Sequence, residues 1–147
     1  GDRGEPLWPA GVVGSITHCD GYAAAAVAAT ETAVAIGIDA EMNAPLPSGV
    51  LSQIATPAER RRLAEAPPGV CWDRLLFSAK ECIYKAWYPV ARHWLGFGDA
   101  TVALTSDGSF LAHLHPSGVL PPALPEKMAG YWTQSSSLLL AAIVVTA

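Results

Sequence analysis

The stretch FSAKECIYKAW at 77–87 places Lys80, Glu81 and Lys85 close together in a run with helical periodicity. At 100° per residue, with Lys80 at zero, Phe77, Tyr84, Tyr88, Glu81, Arg74 and Lys85 fall within an arc of roughly 140°. Leu75, Leu76, Ala79, Cys82, Ile83, Ala86, Trp87 and Val90 fill the arc from roughly 200° to 340°. One face is core, and the other carries cations, a carboxylate and two phenols. Such a face is either a solvated surface steadied by an i,i+4 Glu81–Lys85 pair, or a wall that meets an anion.

A second group of charges closes an apolar strand. Asp39 and Glu41 stand two apart at the end of AVAIGIDAE, residues 33–41, so both carboxylates point to one side where the chain leaves the sheet. Adjacent carboxylates repel until a proton or a cation settles them. A hard, oxygen-preferring ion such as Mg2+, completed by water and phosphate oxygens, suits the pair; a plain solvated strand end is the alternative. A third group is GSITHC at 14–19, where Thr17 and His18 offer a hydroxyl, backbone N–H groups and an imidazole suited to phosphate. A single His is more often a hydrogen-bonded structural residue than a ligand.

These residues need elements to hold them. Residues 1–11 are rich in Gly and Pro and read as a loop. Residues 12–18 and 22–30 read as strands around a hairpin turn at Asp20-Gly21, the second unusually rich in Ala. Residues 33–41 form a third strand, ended by Pro45, Pro47 and Gly49. Thr56, Pro57 and Glu59 spell a helix start with a capping box, and Pro67-Pro68-Gly69 stops that helix after about residue 66. The long helix runs from Cys71 to about Trp94, with Pro89 kinking or ending its regular part. Strand-like runs follow at 100–105, 109–115, 129–134 and 137–146. The order predicts an α+β domain, an antiparallel sheet packed against one long helix.

Composition narrows the function classes. A chain of 147 residues, 51% hydrophobic and 15% charged, fits one domain (1–147) with a packed core. The net charge of −4 argues against non-specific nucleic-acid binding but leaves room for one local basic site. No run of about 18 apolar residues exists, so no membrane-spanning helix is expected, and Leu138 to Val145 reads as a buried strand. Cys19, Cys71 and Cys82 lack metal-ligand spacing and read as reduced, packed thiols, which fits a cytoplasmic protein.

In order and spacing, four stretches resemble the 4′-phosphopantetheinyl transferase superfamily: GDRGEPLWP at 1–9, GSITHC at 14–19, GIDAE at 37–41 and FSAKECIYKAW at 77–87. The resemblance is to the monomeric, surfactin-synthetase-activating type and its EntD-like actinobacterial branch, which WLGF at 94–97 also fits. It implies transfer of the 4′-phosphopantetheine arm of coenzyme A to a serine of an apo acyl- or peptidyl-carrier protein, releasing adenosine 3′,5′-bisphosphate. It assigns Asp39, Glu41 and Glu81 to Mg2+, with Mn2+ as a substitute. Lys80 and Lys85 would neutralise phosphate charge, and Thr17 and His18 would bind a coenzyme A phosphate. Asp39, Tyr84 and Arg3 would also line the coenzyme A site, and Glu81, assisted by Lys85, would act in catalysis as the base. Arg60, Arg61, Arg62 and Arg74 lie where this family docks its carrier.

The resemblance also implies a pseudo-dimer of two similar halves with coenzyme A between them. The chain then corresponds to the second half, and the missing N-terminal lobe becomes a partner that supplies much of the pocket. Two other readings compete: a catalytically incomplete fragment that binds coenzyme A or a carrier protein, and a metal-dependent phosphoesterase. The short, trimeric holo-acyl-carrier-protein synthase type carries its acidic strand near its own N-terminus, whereas here GIDAE follows GSITHC.

Overall fold

Gly21, at φ 72°, lets the chain reverse within two residues, and the strands on either side pair along their whole length. They are β1 (Val12–Cys19) and β2 (Tyr22–Ala29), with Val12 opposite Ala29 and Cys19 opposite Tyr22. The Ala-rich segment is therefore a strand, as its turn context demands. The computed structural model describes Gly1 to Ala147.

β3 (Ala33–Met42) opens a separate antiparallel sheet, completed by β4 (Ala100–Leu104), β5 (Ser109–Leu114), β6 (Lys127–Gln134) and β7 (Leu138–Thr146). The strand order is β3-β7-β6-β5-β4, so the last strand in sequence fills the gap between the third and the sixth. Each boundary lies within two residues of the sequence expectation.

The helices differ more. α1 (Val50–Ile54) was not anticipated: it is a single turn after Gly49, in a stretch whose Pro and Gly content hid it. α2 (Pro57–Ala64) forms with its capping box as expected, and Thr56 Oγ1 accepts the Glu59 N–H at 3.2 Å. α3 (Trp72–Ala91) passes through Pro89 instead of breaking there. The proline sits in the final turn, so the bond it removes affects only the last residues, and the helix ends at Arg92 in the left-handed region.

α3 lies across one face of the five-stranded sheet, as expected for the α+β class. Leu76, Cys82, Ile83, Ala86 and Trp87 are all at most 1% exposed and pack in one cluster with Ala35, Ala141 and Ile143, while Leu75 packs with Trp72 and Leu139. Burial of each large apolar side chain contributes roughly 1.5–3 kcal/mol before entropy is counted. The close approach depends on Gly37, where a Cβ would overlap the Cys82 carbonyl of α3. Backbone cannot swing aside as a side chain can, so Gly37→Ala is expected to lose about 3 kcal/mol of stability. A urea titration checks this, and an unchanged midpoint would show that the helix can shift.

Candidate functional site

The register of β3 against β7 sets Asp39 opposite Ala141 and Glu41 opposite Leu139, directing both acids toward the face on which α3 rides. Asp39 is 5% exposed, and each of its oxygens accepts one hydrogen bond. Its Oδ1 accepts from Lys85 Nζ at 2.8 Å and its Oδ2 from the Ser78 hydroxyl at 2.9 Å. Ser78 and Lys85 lie two helical turns apart on one stripe of α3, so the helix grips the carboxylate from both sides. Lys85 Nζ also donates to the Ile38 carbonyl at 3.0 Å, which leaves its third proton for a ligand.

Glu81, on the next stripe of the helix, has Asp39, Lys85 and Glu41 as its charged neighbours. Burial raises its pKa most, the charges of Asp39 and Glu41 add to the rise, and Lys85 opposes it. Glu41 is raised for the same reasons, burial first and Asp39 second, against the pull of Arg74. Three carboxylates thus share one field with too little positive charge, and a divalent cation would relieve them. That donor chemistry fits Mg2+, although no three His, Cys, Asp or Glu side chains are already gathered to hold a metal. The expected triad of Asp39, Glu41 and Glu81 is therefore neighbouring but not assembled, because Lys85 and Ser78 hold Asp39 while Arg74 holds Glu41 at 3.2 Å.

A pocket of about 460 Å³ brings together Arg3, Thr17, His18, Asp39, Glu81, Tyr84 and Lys85. The N-terminal loop forms one wall. Glu5 accepts the Arg3 N–H at 3.0 Å and pairs with Arg92 at 3.2 Å, which folds the loop back toward the end of α3. A second pocket of about 140 Å³ adjoins Glu81 and is walled by Ile83, Tyr84, Trp94, Leu95 and Phe97. Tyr84 and Trp94 meet there with ring centroids 4.7 Å apart.

Two expectations are corrected. Lys80 does not face the pocket of charges: it is 4% exposed, and its three protons go to Glu59 at 2.9 Å and to the carbonyls of Ile54 and Phe97, both at 2.7 Å. No donor remains for phosphate, because Lys80 sits at the margin of the polar arc, where α2 and the segment before β4 cover it. Arg74 is not a free docking cation, since its guanidinium clamps the loop after β3 through Ala44 O at 3.0 Å and Pro45 O at 2.9 Å. Thr17 reaches the pocket wall, and because its hydroxyl oxygen accepts the Ala40 N–H at 2.9 Å, its own proton remains to be donated to an anion beside the exposed His18. Arg60, Arg61 and Arg62 are exposed along α2, outside both pockets.

The sequence reading passed over Ser78 and Ser15, and saw Glu59 only as a cap. For Ser78 the signal is a small polar residue bordering the apolar stripe of α3; for Glu59, set beside three arginines, no local signal marks burial. Cys19, Cys71 and Cys82 are free thiols, and no helix is long and apolar enough to cross a membrane.

Comparison with known proteins bears on this geometry. Residues 35–133 match the model of the 4′-phosphopantetheinyl transferase superfamily, and residues 1–28 match that of the 4′-phosphopantetheinyl transferase N-terminal domain. The chain is 47% identical to the 4′-phosphopantetheinyl transferase Svp of Streptomyces mobaraensis, over 100% of the chain and 62% of the relative. It is 43% identical to PptT of Mycobacterium tuberculosis, over 99% of the chain and 67% of the relative. It is 54% identical to Npt of Nocardia iowensis, over 74% of the chain and 50% of the relative. The chain thus spans between half and about two thirds of the length of these relatives.

Proposed function

The chain belongs to the 4′-phosphopantetheinyl transferase superfamily, and from that premise we propose that it transfers the 4′-phosphopantetheine arm of coenzyme A to a serine of an apo carrier protein. The observation that carries the reading is the single pocket where His18, Lys85, Arg3, Asp39 and Glu81 converge. Cations for phosphates and carboxylates for a metal meet there, next to an apolar pocket suited to the uncharged arm.

In this reading Asp39, Glu41 and Glu81 would hold Mg2+. When bound, the ion would neutralise charge on the pyrophosphate of coenzyme A. His18 and Arg3 bind phosphate oxygens, and the free proton of Lys85 meets the oxygens on which charge grows. Glu81, which lines the pocket beside Lys85, takes the proton from the carrier serine. The serine oxygen bonds to the phosphorus on the pantetheine side as the bond to the bridging oxygen breaks. Adenosine 3′,5′-bisphosphate leaves with that electron pair. The exposed arginines Arg60, Arg61 and Arg62 would meet an acidic carrier helix.

The greater length of the relatives supports an N-terminal lobe that completes the coenzyme A site, with the present chain as the second half of a pseudo-dimer. A cytoplasmic location, where coenzyme A and carrier proteins occur together, belongs to the same reading. Incubation with coenzyme A, Mg2+ and an apo carrier should add the mass of one phosphopantetheine to the carrier. Hydrolysis of coenzyme A with the carrier unmodified would instead favour a phosphoesterase.

A further inference from the structure

The geometry points to Ser15 and Thr17 as positioning residues whose hydroxyls close the free edge of β3 and so set the direction of Asp39 and Glu41. β3 is an edge strand, hydrogen-bonded within its sheet to β7 alone. Alternate N–H groups along such a strand point away from its partner and need other acceptors. At Ile38 and Ala40 those acceptors are side chains. Ser15 Oγ takes the Ile38 N–H at 3.0 Å, and Thr17 Oγ1 takes the Ala40 N–H at 2.9 Å. Residues two apart on β1 thus match residues two apart on β3, although β1 pairs its own backbone only with β2.

Burial makes the contacts consequential. Ser15, Thr17 and Ala40 are 3%, 4% and 2% exposed, so water is a poor substitute at the Ala40 donor. The outward carbonyl of Ile38 is taken in turn by Lys85. The edge around Asp39 is therefore closed by side chains from two different elements where a neighbouring strand would ordinarily lie. Asp39 lies between the two pinned residues, and Glu41 directly follows the second. Without the hydroxyls this end of β3, paired with a strand on one side only, would fray and swing both acids. The effect on the acids rests on the reading that they receive a divalent cation; the closure of the edge does not.

Amide hydrogen exchange read by NMR tests it. In the wild-type chain the Ala40 amide should exchange at least about a hundredfold more slowly than in an unstructured peptide. Thr17→Val, which keeps the shape and removes the acceptor, should speed Ala40 exchange at least about tenfold while β5 and β6 keep their protection, and Thr17→Ser should restore it. Ser15→Ala should act likewise on Ile38, and serves if Thr17→Val does not fold. Mn2+ binding followed by calorimetry should weaken in Thr17→Val and return in Thr17→Ser. Fast Ala40 exchange in the wild type, or full Ala40 protection in Thr17→Val, overturns the assignment. Failure of the wild-type chain to bind Mn2+ rejects the cation reading of the acids, and the exchange data then decide the edge by themselves.

Discussion

Lys80→Met lowers the stability of the chain by about 3–5 kcal/mol, the cost of leaving a buried carboxylate without its cation. Glu59 is 1% exposed and accepts from three directions: Lys80 at 2.9 Å, the Val102 N–H at 2.7 Å and the Thr56 N–H at 2.7 Å. This one carboxylate ties α2, α3 and β4 together. Burial lowers the Lys80 pKa, and Glu59 opposes that shift, which marks the pair as desolvated and mutually dependent. A marginal domain is held by about 5–15 kcal/mol, so the single substitution removes a large part of its stability.

One further measurement separates this strut from a phosphate contact. Combining Lys80→Met with Glu59→Gln removes the unpaired charge, and urea titration should show most of the lost stability returning. A lysine that served coenzyme A would not be rescued by a change at Glu59. Lys80→Met with wild-type stability and a weakened affinity for coenzyme A would reinstate the phosphate role.

Glu81→Gln carries the largest effect on activity. As the proposed base for the carrier serine it contributes about a hundred- to ten-thousand-fold, and carrier modification should fall by that factor. The fold should survive, because Glu81 is no part of the Asp39–Ser78–Lys85 grip. With a chelator present, Gln should be no less stable than Glu at neutral pH. The raised pKa means that the folded state binds the Glu81 proton more tightly than the unfolded state does. Ionised Glu81 therefore costs stability above the ordinary carboxylate value of 4.5, and the cost disappears at lower pH, where both states are protonated. A folded Gln variant with near-wild-type turnover would remove Glu81 from proton transfer.

Much of the site is legible in the sequence. Hairpin chemistry at Asp20-Gly21, the period-two run into Asp39 and Glu41, and the helical spacing of Glu81 and Lys85 are local patterns. Local geometry is enough to place them on strand ends and helix faces. The superfamily likewise followed from motifs that short-range spacing preserves. The limits lie where burial depends on a distant element. Lys80 and Glu81 are adjacent in sequence, only about 100° apart on the helix, yet one is sealed under α2 and the other opens on the pocket.

Arg74 looked like another exposed cation until the loop after β3 folded beneath it. Ser15 had no assigned part and Thr17 only that of a phosphate ligand until β1 came to rest along the edge of β3. The sequence by itself determined which chemical groups are present, which elements carry them and which family they mark. Only the tertiary structure decided which donors remain free. Hydrogen-bonding capacity is finite, and its allotment depends on what packs against each side chain from far along the chain.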